Sequence, residues 1–219
     1  MVLTENFPEE PDFPVAGYSF PIEVIRNRQR KGFGANHNAA LERAGNGWFC
    51  VLNPDIRLSS DPFPALLAVA VDPRVGVVAP VVTGSDLVAE DHARDFPSLF
   101  TLFAKAFGHR PHMPAPAGQS VYHPDWVAGM FMLFRSGTLR SFGGFDERYF
   151  LYYEDVDLCA RLRDRGLEVA VCTHASVIHA ARRESRRNLR YAAWHLRSAM
   201  RFFASQPRIA LGLGRKRQL

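Results

Sequence analysis

The chain has 219 residues, 47% of them hydrophobic, which suffices to bury the core of one globular domain. No apolar run approaches the roughly 20 residues that cross a bilayer. The net charge of +5 is unevenly placed: from Arg182 onward, eleven Lys or Arg face one acid, Glu184.

Short apolar runs alternate with helical patterns along the chain. That order predicts an α/β fold with a mainly parallel sheet and crossover helices. Ile22–Arg26 reads as a strand and Gly34–Ala44 as a helix entered through small residues. Trp48–Leu52 is a buried strand that ends at Asn53-Pro54-Asp55. Pro62–Val71 is a helix, with Asp61 as its N-cap and Pro62 at the first helical position. Val75–Val82 is a second buried strand. The stretch from Thr83 to Pro124 is irregular, with one helix around Ser98–Phe107 and a loop at Pro111–Pro116. Val127–Phe134 reads as a strand, Gly143-Gly144 as a turn, and Asp155–Arg165 as a helix stopped by Gly166. Glu168–Cys172 and Ser176–Ile178 are short strands. Asn188–Phe203 is an amphipathic helix, with Tyr191, Trp194, Leu196, Phe202 and Phe203 available for packing.

The opening MVLTENFPEEPDF lacks a basic region followed by an apolar core, so it does not read as a secretory signal. Cys50, Cys159 and Cys172 are odd in number and have no CxxC spacing. They read as buried free thiols of a reducing, cytoplasmic compartment. The basic C-terminus has few aromatics to stack bases and no nucleic-acid motif. It suits peripheral contact with an anionic membrane, or simply a solvated helix face and a frayed end.

Open α/β sheets bind ligands beyond the carboxyl ends of their strands, so strand ends are the first places to look. Asp55 lies at one, where a carboxylate can hold a hard divalent cation or merely complete a turn. Tyr152-Tyr153-Glu154-Asp155-Val156-Asp157 crowds three carboxylates at a helix start. Acids there complement the helix dipole, and repulsion with burial can also raise one pKa to suit a general base. His179 follows another short apolar strand and offers an imidazole that can complete a metal site with Asp55, or serve structurally. Lys31 to Asn38 places small residues at a helix entry, which favours phosphate but matches neither a Walker loop nor GxGxxG.

Taken in order, these segments resemble the inverting glycosyltransferase family 2, which has the GT-A fold. The resemblance rests on KGFGANHNAAL at 31–41, VLNPDIRL at 51–58, DWVAGMFMLFR at 125–135, GGFDERYFLYYEDVDLCARLRDRG at 143–166, and VIH at 177–179. Within the family it is similar to bacterial rhamnosyltransferase-type enzymes of surface polysaccharide assembly. The resemblance implies one GT-A-like domain over 1–205. It has a nucleotide-sugar half at 1–85, an acceptor and catalytic half at 86–180 and a C-terminal helix at 181–205. A basic tail follows at 206–219. It implies Asp155 as catalytic base with Glu154 and Asp157 in support, and a Mg²⁺ or Mn²⁺ held by Asp55 and His179. Thr4, Asn6, Gly32, Phe33, Asn36, Asn53 and Asp55 fall on the nucleotide-sugar side, and Trp126, Gly129 and Arg94 on the acceptor side. The implied partners are a nucleoside-diphosphate sugar and a glycan or lipid-linked acceptor. Family members usually carry a strand and a helix ahead of the segment matching residues 1–6, so the expected sheet lacks that first strand and helix. The alternative reading is a degenerate, non-catalytic relative acting as a membrane-associated binding partner.

Overall fold

The computed structural model describes residues 1–6, 16–101, 118–180 and 189–213. The Pro111–Pro116 loop, most of the Ser98–Phe107 helix and both ends of the basic C-terminal region lie outside the described residues. In chain order the elements are β1 (Val2–Glu5), β2 (Glu23–Arg26), α1 (Phe33–Arg43), β3 (Trp48–Leu52), β4 (Ile56–Arg57), α2 (Phe63–Ala70) and β5 (Val75–Thr83). There follow β6 (Ala93–Arg94), β7 (Val121–Tyr122), β8 (Trp126–Val127), β9 (Phe131–Arg135), α3 (Ser136–Ser141), α4 (Glu154–Asp164), β10 (Glu168–His179), α5 (Leu189–Ser205) and α6 (Pro207–Ala210).

The central sheet runs β3-β9-β5-β10-β4, with β7 also on β10. The fold is α/β, as expected, but the sheet is mixed rather than mainly parallel. Within it β5–β10 is parallel, whereas β3–β9, β5–β9, β4–β10 and β7–β10 are antiparallel. β9 is responsible, because it runs between β3 and β5 against both. β1 and β2 form a separate parallel pair, and β6 and β8 an antiparallel one.

The period-2 alternation of the strands sorts side chains onto two faces. Val77, Ala79, Met132, Phe134, Val169 and Val171 pack with Leu41 of α1, Leu139 of α3 and Leu158 and Leu162 of α4. Val78, Val82, Phe131, Leu133, Ala170 and Cys172 pack with Leu66 and Ala70 of α2. β5 is therefore covered on both faces, which explains its unbroken apolar run. α4 has a second apolar side, Val156 and Ala160, which packs with Tyr149, Tyr153, Ala199 and Phe202 beneath α5.

Two strand expectations change. Glu168–Cys172 and Ser176–Ile178 are one bent strand, β10, whose register against β5 shifts between Cys172 and Ser176. Cys172 sits opposite Pro80, which has no N–H to donate, so the ladder breaks there. The Thr173 amide instead donates to the Ser120 carbonyl at 3.0 Å. The expected strand Val127–Phe134 is split into β8 and β9 around Ala128–Met130. The cap of α2 also moves by one residue: Pro62 is the N-cap, and the Asp61 carboxylate accepts from the Phe63 amide at 3.0 Å.

Asn38 of α1 braces the segment leading to α4. Its amide nitrogen donates to the Phe145 carbonyl at 2.9 Å, and its oxygen accepts from the Phe145 amide at 2.9 Å. Asn38→Ala leaves both Phe145 backbone groups unpaired, which costs about 1–3 kcal/mol. Thermal denaturation should show a melting temperature lowered by several degrees.

Candidate active site

Tyr152 and Tyr153 lead into α4 with φ of 71° and 68°. Left-handed backbone at a non-glycine residue costs roughly 1–2 kcal/mol, and two in succession require outside restraint. α5 supplies it. Tyr152 and Tyr153 each lie 5.3 Å from the His195 ring, Tyr153 lies 5.5 Å from Phe202, and the Ser198 hydroxyl donates to the Leu151 carbonyl at 2.9 Å. This kink delivers Glu154 and Asp155 at the start of α4.

The Gly129 amide donates to Asp155 Oδ2 at 3.0 Å, and the Val156 amide to Oδ1 at 2.8 Å. Gly129 has no room for a side chain, since a Cβ there would lie 2.9 Å from the Phe33 ring. Burial raises the pKa of Asp155, and the two amide donors and the Arg94 charge oppose the rise. Glu154 is almost wholly buried, and its Oε2 has no hydrogen-bond partner. Burial, then the neighbouring Asp155 charge, pushes its pKa well above the ordinary carboxylate range. Asp157 belongs to a different network: it pairs with Arg161 at 2.8 Å, and Arg161 also donates to the Phe142 and Gly144 carbonyls. Its geometry is that of a structural brace and separates it from the Asp155 carboxylate.

The second cluster is made by β4, which was not anticipated. Its antiparallel register on β10 sets His179 opposite Ile56, and the Ala180 amide donates to the Asp55 carbonyl at 2.9 Å. Asp55 and His179, distant in sequence, are thus brought together, with His179 Nε2 3.2 Å from Asp55 Oδ2. Glu90, missed from sequence, sits 2.8 Å from the other ring nitrogen, Nδ1. A neutral imidazole donates from one nitrogen only. With the proton on Nδ1 toward Glu90, Nε2 turns its lone pair toward Asp55, an arrangement suited to sharing a cation. Asp55 Oδ1 is buried and without a partner, which fits the same role. Among the described residues no group of three or more His, Cys, Asp or Glu encloses a metal ion.

Ala128–Met130 joins the two clusters. Gly129 holds Asp155, the Asn53 amide donates to the Met130 carbonyl at 3.0 Å, and the Ala128 amide donates to the His92 carbonyl at 2.8 Å, two residues from Glu90. Of the other expected residues, Arg94 stacks over Trp126 at 5.4 Å on the paired strands β6 and β8. Asn6 and Asn36 converge on a residue the sequence did not single out, the buried Asn27, which donates to Asn36 at 2.8 Å and Asn6 at 3.2 Å. Thr4 lies nearby in β1, opposite Ile25. Gly32 is explained by its own chain, since a Cβ would lie 2.8 Å from the Phe150 carbonyl oxygen. His37 is a neutral packing group, its pKa pushed down to about 4 by burial against Phe33 and Phe145. No sequence motif surrounds Glu90 or Asn27; only the paired neighbours of each reveal them.

Solved structures share this architecture. A GalNAc-T7 structure with UDP, GalNAc and Mn²⁺ aligns over 84% of the chain with a TM-score of 0.65 at 13% identity. The mannosyltransferase PcManGT of Pyrobaculum calidifontis, with GDP-Man and Mn²⁺, aligns over 86% with a TM-score of 0.55 at 14% identity. The chain spans 36% and 47% of those two chains. The fold is thus the GT-A fold of glycosyltransferases. Residues 12–199 match the model described as glycosyltransferase like family 2, and the chain belongs to that family. It is similar to the N-acetylglucosaminyl-diphospho-decaprenol L-rhamnosyltransferase of Mycobacterium tuberculosis, with 32% identity over 84% of this chain and 67% of that protein. It is also similar to rhamnosyltransferase WbbL of Escherichia coli, with 30% identity over 79% and 70%.

The raised pKa of Glu154 has a sign. Below the unfolded carboxylate pKa of about 4 both states are protonated. As pH rises, the unfolded state loses its proton first, so stability falls until the folded-state pKa is passed. Glu154→Gln should therefore be more stable than the parent at pH 8 and lose that advantage near pH 4. Denaturant unfolding at the two pH values measures the difference.

Proposed function

We propose that this chain is an inverting transferase of bacterial surface polysaccharide synthesis. It moves a sugar, rhamnose by similarity to its relatives, from a nucleoside-diphosphate donor to a glycan or lipid-linked acceptor. The observation that carries this reading is the Ala128–Met130 segment, with a buried carboxylate pair at Gly129 and the Asp55–His179 donors reached through Asn53. Such an arrangement suits a diphosphate lying between a cation site and a base. The intact carboxylate pair weighs against a non-catalytic role.

Asp155 takes the proton of an acceptor hydroxyl. The hydroxyl oxygen attacks the anomeric carbon from the face opposite the diphosphate. The bond from that carbon to the diphosphate oxygen breaks, its electron pair leaves with the nucleotide, and configuration inverts. The Gly129 amide aims Asp155, and burial raises its basicity, with the buried Glu154 beside it in support. A divalent cation bound by Asp55 and His179 would neutralise diphosphate charge, with Glu90 orienting the imidazole. Asn6, Asn27 and Asn36 face the nucleotide side, and Trp126 with Arg94 the acceptor side.

Turnover of dTDP-, UDP- and GDP-sugars tests the assignment. Asp155→Asn should lower the rate by about 10²–10⁴-fold while donor binding, measured by calorimetry, persists. Full activity in Asp155→Asn would remove the base. Asp55→Ala should weaken Mn²⁺-dependent donor binding, and Glu90→Gln should weaken it by about 10-fold or more. Donor binding unaltered by Asp55→Ala would exclude the cation role.

A further inference from the structure

α5 buries one apolar face and carries a second apolar stripe on its solvent side. Leu189, Ala193, Leu196 and Met200 recur at steps of four and three residues and so share one face. Leu189, Leu196 and Met200 are 87%, 61% and 59% exposed. Leu196, expected in the core, points outward. Trp194, Ser198, Ala199 and Phe202 form the inner face instead, on the segment that leads into α4. Leu211 and Leu213, after α6, are exposed as well.

Arg190, Arg197 and Arg201 follow one border of the stripe, about a quarter-turn to a third of a turn round from Leu189. Residues 189–213 contain no Asp or Glu. Arg197 and Arg201 open onto a cavity of about 270 Å³ that Glu147, Arg148, Phe150 and Trp194 also line. An apolar stripe edged by arginines, with no acid on the element, is complementary to lipid chains beside anionic headgroups. A second copy of this chain is a poorer occupant. It would cover the leucines but would bring no acid on this element to meet the arginines.

We infer that the outer face of α5 lies in the interfacial plane of an anionic bilayer, with Leu189, Leu196 and Met200 among the acyl chains and Arg190 and Arg197 at the phosphates. No described helix is long and apolar enough to cross a membrane. The contact places the docking surface on the helix itself, ahead of the basic tail. Because the inner face of the same helix holds Tyr152 and Tyr153, the bilayer and the carboxylate pair lie on opposite sides of α5. The inference stands independently of the sugar-transfer reading, because its readout is binding.

Flotation of the full chain with vesicles tests it. The chain should bind vesicles of phosphatidylcholine mixed with phosphatidylglycerol and bind poorly to phosphatidylcholine alone. The double variant L196E/M200E should lose binding more than about tenfold with an unchanged thermal melt, because both side chains are already in solvent. Arg197→Gln should weaken binding and reduce its sensitivity to salt. Equal binding by the parent and L196E/M200E would overturn the inference. So would a dimer, seen by sedimentation, that L196E/M200E dissolves while neither form binds vesicles.

Discussion

The hydrogen bond from the Gly129 amide to Asp155 is the constraint through which the site is assembled. It forms because the expected strand breaks at Ala128–Met130, freeing one amide from the ladder to face a carboxylate instead. The Phe33 ring closes the other side of Gly129, so neither the loop nor the carboxylate has room to relax. An ionised carboxylate away from water needs such donors. Burial raises the pKa of Asp155, and the Gly129 and Val156 amides oppose that rise.

The same economy of position explains the strained tyrosines. α4 can present Glu154 and Asp155 only if the chain turns sharply before it, and Tyr152 and Tyr153 make that turn with left-handed backbone. Their Cβ atoms make the conformation unfavourable, and their rings hold it by packing on His195 and Phe202 of α5. α5 therefore supports the turn that carries Glu154 and Asp155, despite lying outside the sheet. Its outward apolar stripe is unusual because an element tied so closely to the site leaves its hydrophobic surface uncovered.

The Asp55–His179 cluster follows a different logic. A carboxylate at the end of β3 and an imidazole at the end of β10 meet because two-residue β4 pairs back on β10. Glu90 then fixes the imidazole from the side opposite Asp55.

Much of this was legible beforehand. Apolar runs located β3, β5 and most of the helices, because burial on a sheet face leaves a periodic trace in sequence. The order of the NPD, GFDE and EDxD segments carried the resemblance that the family match then bore out. The short strands β4, β6 and β7 leave no such trace, because two residues set no period. Three carboxylates at the start of one helix looked equivalent in sequence. Only the fold separated Asp157, paired with Arg161, from Asp155, aimed by Gly129, since one helix turn sends them to different neighbours. Glu90, Asn27 and the outward turn of Leu196 were likewise decided by long-range packing. The sequence by itself determined which residue types were present and how they repeat. Tertiary structure decided which of them meet, because partners brought together across a sheet are set by register and packing, and no local spacing encodes either.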